Sequence, residues 1–335
     1  MKALVSHSAD GPEALTIEDV KPRDPGEGEL LLEVLACGVN FTDVLFLLGL
    51  YQEASAFPLT PGGEVSGIVR RAGAGTSLPP GSRVMARCRL GGMAEMVTVP
   101  EDRCLPVPDT ISDEIAAIIQ FSYATAYYAL TRCTNLREGD RLLVLGASGG
   151  VGGAAVAIGR SLGARVFAAT SSPDRLRPVV HMADEVLEYP ADISPEGQKA
   201  FRQTLREVVP EGFDSVIDPV GGALAEPAIR SLASGGCHMV IGFAGGIPSI
   251  PLNLPLLKAG RIVGVSWHDF LTRFPAKNRE MLLELFGLYE SGRLEIAPPE
   301  SVSLEGGPRI LQQMQARQLS GKWVVLPSRA AASAG

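Results

Sequence analysis

The chain has 335 residues, 46% apolar and 20% charged, and a formal net charge of -7. That composition excludes a disordered or fibrous protein and leaves room for two hydrophobic cores. With no long Lys/Arg run to neutralise a row of phosphates, nucleic acid is disfavoured as a partner and a small molecule is expected.

From Met1 to about Pro108 the pattern is of short β-type runs broken by Gly and Pro: Leu30 to Ala36, Glu64 to Arg71, Arg83 to Ala86 and Met93 to Val99. From about Ile111 strands and helices alternate. The strand candidates are Arg141 to Leu145, Arg165 to Thr170, Ser215 to Asp218, His238 to Gly242 and Ile262 to Val265. The helix candidates between them are Val151 to Leu162, Asp174 to Met182, Pro195 to Val209 and Ala223 to Ser234. Such alternation predicts an α/β fold, a doubly wound parallel sheet covered by helices, with its ligand at the carboxyl ends of the strands. An amphipathic helix over Asn278 to Ser291 and a last strand over Lys322 to Leu326 are expected to return to the first domain, and Arg329 to Gly335 reads as a disordered tail. The boundaries predicted are residues 1–122, completed by 266–335, for a β-rich catalytic domain and 123–265 for a nucleotide-binding domain.

Five scattered cysteines, Cys37, Cys88, Cys104, Cys133 and Cys237, show no CxxC spacing and argue against a disulfide framework or a thiolate metal cluster. Met1 to Leu32 lacks the order of a secretory signal. The charge-free runs Ile115 to Thr131 and Leu142 to Gly159 carry too many polar residues or glycines for membrane spans. The expectation is a cytoplasmic protein with no membrane partner. His7, His181, His238 and His268 show no ligand spacing and take no role.

The run Arg141 to Val156 reads as strand, glycine turn and helix start, with Ala147, Gly149 and Gly152 at AxGxxG spacing. A small residue at Gly149 admits a pyrophosphate, Gly152 lets the helix pack close, and the helix N-terminus offers amide donors and a positive dipole end. NAD-specific domains place an Asp or Glu at the end of the next strand, about 20 residues on, to bond the ribose 2'-hydroxyl. Here that position reads Thr170-Ser171-Ser172-Pro173-Asp174-Arg175, with two hydroxyls and a guanidinium where the acid would stand. A 2'-phosphate, hence NADPH, is the cofactor predicted.

Gly38-Val-Asn-Phe-Thr-Asp43, Gly49-Leu-Tyr51, Gly92-Met-Ala-Glu95, Tyr123-Ala-Thr-Ala126, Gly146 to Gly152, Asp218-Pro-Val-Gly-Gly222, Gly242-Phe-Ala-Gly-Gly246, Ala259 to Trp267 and Gly321-Lys322 occur in the order seen in one family. Over nearly its whole length the chain resembles the zinc-free quinone oxidoreductases, which include the zeta-crystallins, of the medium-chain dehydrogenase/reductase superfamily. The resemblance implies a GroES-like β-rich domain beside a Rossmann domain, a homodimer, and hydride transfer to a quinone or a carbonyl-conjugated alkene. Where the superfamily's zinc enzymes carry a ligating Cys and a ligating His, this chain has Asn40 and Gly63, so no zinc is expected.

By the same resemblance Thr125, Ser148, Gly149, Gly150 and Val151 meet the phosphates and ribose, while Ser171, Ser172 and Arg175 take the 2'-phosphate. Tyr189 stands on the adenosine side, Gly242, Phe243 and Trp267 border the nicotinamide, and Lys322 closes the site. Asn40 is expected to hold a substrate oxygen or the nicotinamide ribose, and Tyr51 to donate a proton, for which a phenol protonated at neutral pH is suited. Asp43 is expected to bond loop backbone. The apolar run Leu45 to Leu50 predicts a greasy site for an apolar electrophile. The alternatives are an enoyl thioester reductase and a low-turnover protein that binds NADPH or RNA.

Overall fold

The computed structural model describes residues 1–51, 56–190 and 193–328, and the tail expected from Arg329 onward lies outside them. The chain divides into two compact units, Met1–Phe121 with Pro298–Gly335, and Ser122–Ala297.

The first unit is built on a seven-stranded sheet around Glu29–Gly38, which pairs antiparallel with Glu64–Ala72, Met96–Pro100 and Trp323–Leu326. Leu30, Leu31, Leu32, Val34, Ala36 and Cys37 are all buried, so the strand reads as a nearly continuous apolar run rather than an alternating one. A strand covered on both faces reads this way, and each fully buried Leu or Val contributes roughly 1.5–3 kcal/mol. Glu300–Ser303 forms one edge, parallel to Trp323–Leu326. Phe41–Leu47, read from sequence as loop, is a helix: Asn40 stands at its N-cap and the Asn40 N–H donates to Asp43 Oδ2 at 2.8 Å.

The second unit holds a six-stranded, all-parallel sheet. Its order is Glu185–Glu188, Arg165–Thr170, Arg141–Val144, Phe213–Asp218, Leu232–Val240, Arg261–Gly264. In sequence order this is 3-2-1-4-5-6, the doubly wound arrangement of a Rossmann sheet, and its strand order reverses between Arg141–Val144 and Phe213–Asp218. Gly150–Ser161 follows the first of those strands, and its buried face of Gly152, Ala154, Ala155, Val156, Ala157, Ile158 and Gly159 is small enough to lie close to the sheet.

Several expected boundaries move. Asp174 to Met182 is not one helix but two short 3-10 turns, Pro173–Leu176 and Val180–Met182, because Pro178 interrupts it. The helix expected to run to Ser234 is only Ala225–Arg230, and the next strand begins at Leu232. The segment 266–297, expected with the first domain, belongs to the second unit, where Trp267–Arg273 and Pro275–Glu290 pack against Ala124–Tyr128. Tyr128 stacks on Phe270 there, with ring centroids 4.5 Å apart. Among the described residues no helix is long and apolar enough to cross a membrane.

Candidate active site

At the strand-order reversal the backbone turns sharply after Val144. Gly146 sits at φ 60, the Leu145 N–H donates to Ile217 O at 3.1 Å, and the Ala147 N–H donates to Ala169 O at 3.0 Å. The turn is thereby fixed to both neighbouring strands. The helix Gly150–Ser161 starts directly after it, and its first i to i-4 bond runs from Gly153 N to Gly149 O at 2.8 Å. The amides of Gly150, Val151 and Gly152 precede that bond and have no partner within the helix, and they stand at its positive dipole end. A Cβ on Gly152 would stand 2.2 Å from Gly146 O, whereas one on Gly149 would meet the same oxygen at 3.4 Å. Gly152 is therefore demanded by the loop itself, whereas at the exposed Gly149 the loop would accept a Cβ in ordinary contact.

Ser148 and Thr170 connect this loop to the end of the next strand, Thr170 Oγ1 donating to Ser148 Oγ at 3.3 Å while it accepts from Ser172 N at 3.2 Å. Ser171, Ser172 and Arg175 are half-buried and follow in one turn. Asp174, the one acid nearby, is exposed and lies 3.7 Å from Arg177. Thr125, half-buried, sits on Ala124–Tyr128, which packs against the phosphate-loop helix.

The other expected cofactor residues divide. Gly242 and Phe243 follow Leu232–Val240 at the carboxyl side of the sheet, and Phe243 is 46% exposed. Tyr189 is instead buried in the core, its ring edge-on to Phe201 at 5.5 Å. Trp267 is buried as well, and its indole N–H donates to Asn278 Oδ1 at 2.9 Å, a packing position between two helices.

In the first unit the residues around Asn40 form a buried network. The Lys322 ammonium donates to Val39 O at 3.0 Å and to Asn40 Oδ1 at 2.8 Å, and lies 3.4 Å from Glu64 Oε1. Asn40 Nδ2 donates to Glu64 Oε1 at 2.9 Å and to Gly38 O at 3.3 Å, and Phe121 N donates to Glu64 Oε2 at 2.9 Å. Asn40 thus spends both ends of its amide on protein partners. Asp43 accepts from Asn40 N and from Gly62 N, the backbone role expected of it; burial nevertheless raises its carboxyl to about 7, against the opposing effect of those amides and of Lys322. Burial also pushes the Cys37 and Cys88 thiols up, so neither is a thiolate at neutral pH. Tyr51 is half-buried, its ring 4.2 Å from that of Phe46.

Two features had no sequence signal. Asp218 Oδ1 accepts from Val220 N and Gly221 N while Oδ2 lies 3.2 Å from His238 Nε2, a fully buried pair that shapes the turn after the strand. Arg89, at φ 67, holds its guanidinium over the Phe46 ring, 5.6 Å from its centroid. Among the described residues, no three His, Cys, Asp or Glu side chains are grouped to hold a metal ion.

Residues 26–109 match the alcohol dehydrogenase GroES-like domain and residues 150–285 match the zinc-binding dehydrogenase family. The chain is 35% identical over 257 residues to quinone oxidoreductase-like protein 2 of Mus musculus, covering 76% of this chain and 72% of the mouse protein. It superposes on the quinone oxidoreductase of Thermus thermophilus, solved also with NADPH, with a TM-score of 0.79 and 32% identity over 98% of this chain and all of that one. With the Escherichia coli quinone oxidoreductase complexed with NADPH the TM-score is 0.86 at 25% identity, over 98% of this chain and 100% of that one.

Proposed function

The chain belongs to the quinone oxidoreductase-like family of medium-chain dehydrogenases/reductases, and from that premise we propose that it is a zinc-independent reductase that carries hydride from NADPH to a quinone or to the β carbon of a carbonyl-conjugated alkene. The observation that carries the reading is the amide-lined glycine turn at the strand-order reversal, followed at the next strand end by two serines and Arg175 instead of a carboxylate. Bound there, NADPH supplies the hydride. The amides of Gly150, Val151 and Gly152 hold the pyrophosphate, Ser148 and Thr125 the neighbouring oxygens, and Ser171, Ser172 and Arg175 the 2'-phosphate, with the exposed Asp174 partly offset by Arg177. Gly242 and Phe243 border the nicotinamide. Tyr189 and Trp267 act from within the core, as supports of their loops.

Zinc does not fit the residues around Asn40. Catalytic zinc takes about three protein ligands, usually including Cys or His. Here Gly63 has no side chain, Asn40 Oδ1 already accepts from Lys322, and the ammonium itself supplies positive charge beside Glu64. No step therefore passes through a metal. Lys322 and Asn40 keep this corner rigid, and Tyr51 delivers the proton that follows the hydride, so that hydride and proton together reduce the acceptor by two electrons.

The test is NADPH oxidation with a panel of quinones, enones and enoyl thioesters, run on wild type and Tyr51→Phe. The variant is expected to lose about 100-fold or more in kcat on enones, the lower end of the usual range for a general acid, and little in the KM for NADPH. Unchanged turnover on every acceptor would remove Tyr51 from the mechanism.

The described part of the second unit also supports a homodimer. Arg261–Gly264 is an edge strand with Ile262 39% exposed, and Leu256 and Leu257 on the preceding helix are 79% and 72% exposed. An open apolar edge invites another strand, and a second copy of this chain supplies one. Light scattering after gel filtration is expected to give a dimer for wild type and a monomer for Ile262→Lys; a wild-type monomer removes the dimer. Five free cysteines support a reducing, cytoplasmic setting.

A further inference from the structure

Of the four histidines only His238 is buried, with 1% of its surface exposed. It lies on Leu232–Val240, in register with the apolar Val216 and Ile262 of the two neighbouring strands. Among the described residues Asp218 is its one polar partner, Oδ2 standing 3.2 Å from Nε2, and Nδ1 has no hydrogen-bond partner. A proton on Nδ1 would face no acceptor, whereas one on Nε2 faces a carboxylate, so the neutral ring carries its proton on Nε2. A buried nitrogen left unpaired costs stability that an apolar side chain of similar size would avoid, and its retention in the core points to a use.

That use follows from what Asp218 holds. Its other oxygen, Oδ1, accepts from Val220 N at 2.9 Å and from Gly221 N at 2.7 Å, which fixes the turn after Phe213–Asp218. This turn grips the segment that leaves the next strand: Gly245 N donates to Val220 O at 2.6 Å, and Gly222 N donates to Gly246 O at 2.7 Å. The two backbones touch there, since a Cβ on Gly222, at φ 55, would stand 2.2 Å from Gly245 O. On its other side the turn meets the phosphate loop, where a Cβ on Gly146 would lie 2.7 Å from Val220 Cγ2. A shift of Asp218 therefore reaches residues 242–246 through backbone contacts, with no flexible side chain between to absorb it.

We propose that His238 is a positioning residue for the nicotinamide: its Nε2–H anchors the Asp218 carboxylate, and the turn built on that carboxylate sets where residues 242–246 stand beside the ring. The inference rests on the reductase reading, in which Gly242 and Phe243 border the nicotinamide, and adds to it the group that holds them in place. Fully buried, His238 acts through Asp218 and not by contact with the cofactor.

The experiment compares His238→Leu, which removes the donor, with His238→Gln, whose amide reaches the place of Nε2 and restores it. NADPH turnover with the best acceptor among quinones, enones and enoyl thioesters is measured beside the binding of adenosine 2',5'-bisphosphate, a fragment that lacks the nicotinamide. For His238→Leu, kcat is expected to fall about 10- to 100-fold, the loss that a displacement of about 1 Å at the reacting centre produces. The bisphosphate is expected to bind within about twofold of wild type, which a merely structural histidine would not allow. His238→Gln recovers most of the rate. If His238→Leu does not fold, His238→Asn, whose shorter amide stops short of Asp218, takes its place. Parallel losses of turnover and bisphosphate binding, an unchanged kcat, or a glutamine variant as slow as the leucine one would overturn the proposal. If no acceptor oxidises NADPH with wild type, the reductase reading fails by itself. NADPH binding then decides on His238: affinity lost for NADPH but kept for the bisphosphate sustains the positioning role, and equal effects on both, or none, overturn it.

Discussion

Replacing Gly152 by alanine is expected to weaken NADPH binding by at least about 100-fold. The added Cβ would lie 2.2 Å from Gly146 O, a separation that no relaxed contact shows, and both sides of the clash are backbone. Relief requires the helix start to move away from the turn. That movement pulls the amides of Gly150 and Val151 off the phosphate position, where two or three charge-assisted hydrogen bonds of about 1.5–3 kcal/mol each are lost together. Gly149→Ala is the control. Its Cβ meets Gly146 O at 3.4 Å, so the turn survives and the loss, from crowding the ligand, is smaller. Fluorescence titration of NADPH on both variants checks the order; a Gly152→Ala protein that binds as tightly as wild type would show that the turn is not the phosphate site.

The second large effect is on stability and lies in the first unit. Lys322 and Glu64 have side chains only 8% and 1% exposed, and their charges meet through Asn40. Lys322→Met leaves the Glu64 carboxylate buried with its amide donors and no cation, and breaking one side of a buried pair costs about 3–5 kcal/mol. Removing both charges, in Lys322→Met with Glu64→Gln, is expected to cost less than the sum of the two single changes, because no charge is then left stranded. Urea unfolding followed by Trp323 emission in a Trp267→Phe background reads this unit alone, since the two tryptophans lie one in each unit. A Lys322→Met loss below about 1 kcal/mol would mean that the network is solvated and contributes little.

What the sequence reveals depends on how local the determining contacts are. The parallel sheet is legible because each strand, turn and helix carries its own period, and the phosphate turn is legible because Gly146, Gly149 and Gly152 answer constraints within seven residues of one another. The helix Phe41–Leu47 is missed because its apolar run looks like loop without the cap, although Asn40 and Asp43 at capping-box spacing were a readable sign. The assignment of 266–297 fails because an amphipathic helix does not announce which core it joins. Trp267 looks like a ring for the nicotinamide until Asn278, eleven residues on, takes its N–H. The Arg89 guanidinium over Phe46, the Lys322 ammonium on Asn40 and the His238 ring against Asp218 join residues far apart in the chain, and only the fold brings such pairs together. Much of the expected binding list is local to the phosphate turn and the strand end after it; the buried network of Asn40, Glu64 and Lys322 is not.

The most direct measurement is the rate at which naphthoquinone oxidises NADPH and NADH in the presence of a strong zinc chelator, followed by the loss of reduced-nicotinamide absorbance. Rapid oxidation of NADPH, slower oxidation of NADH and no effect of the chelator are predicted; no oxidation of either cofactor, or activity that chelation abolishes, would contradict a zinc-independent NADPH reductase.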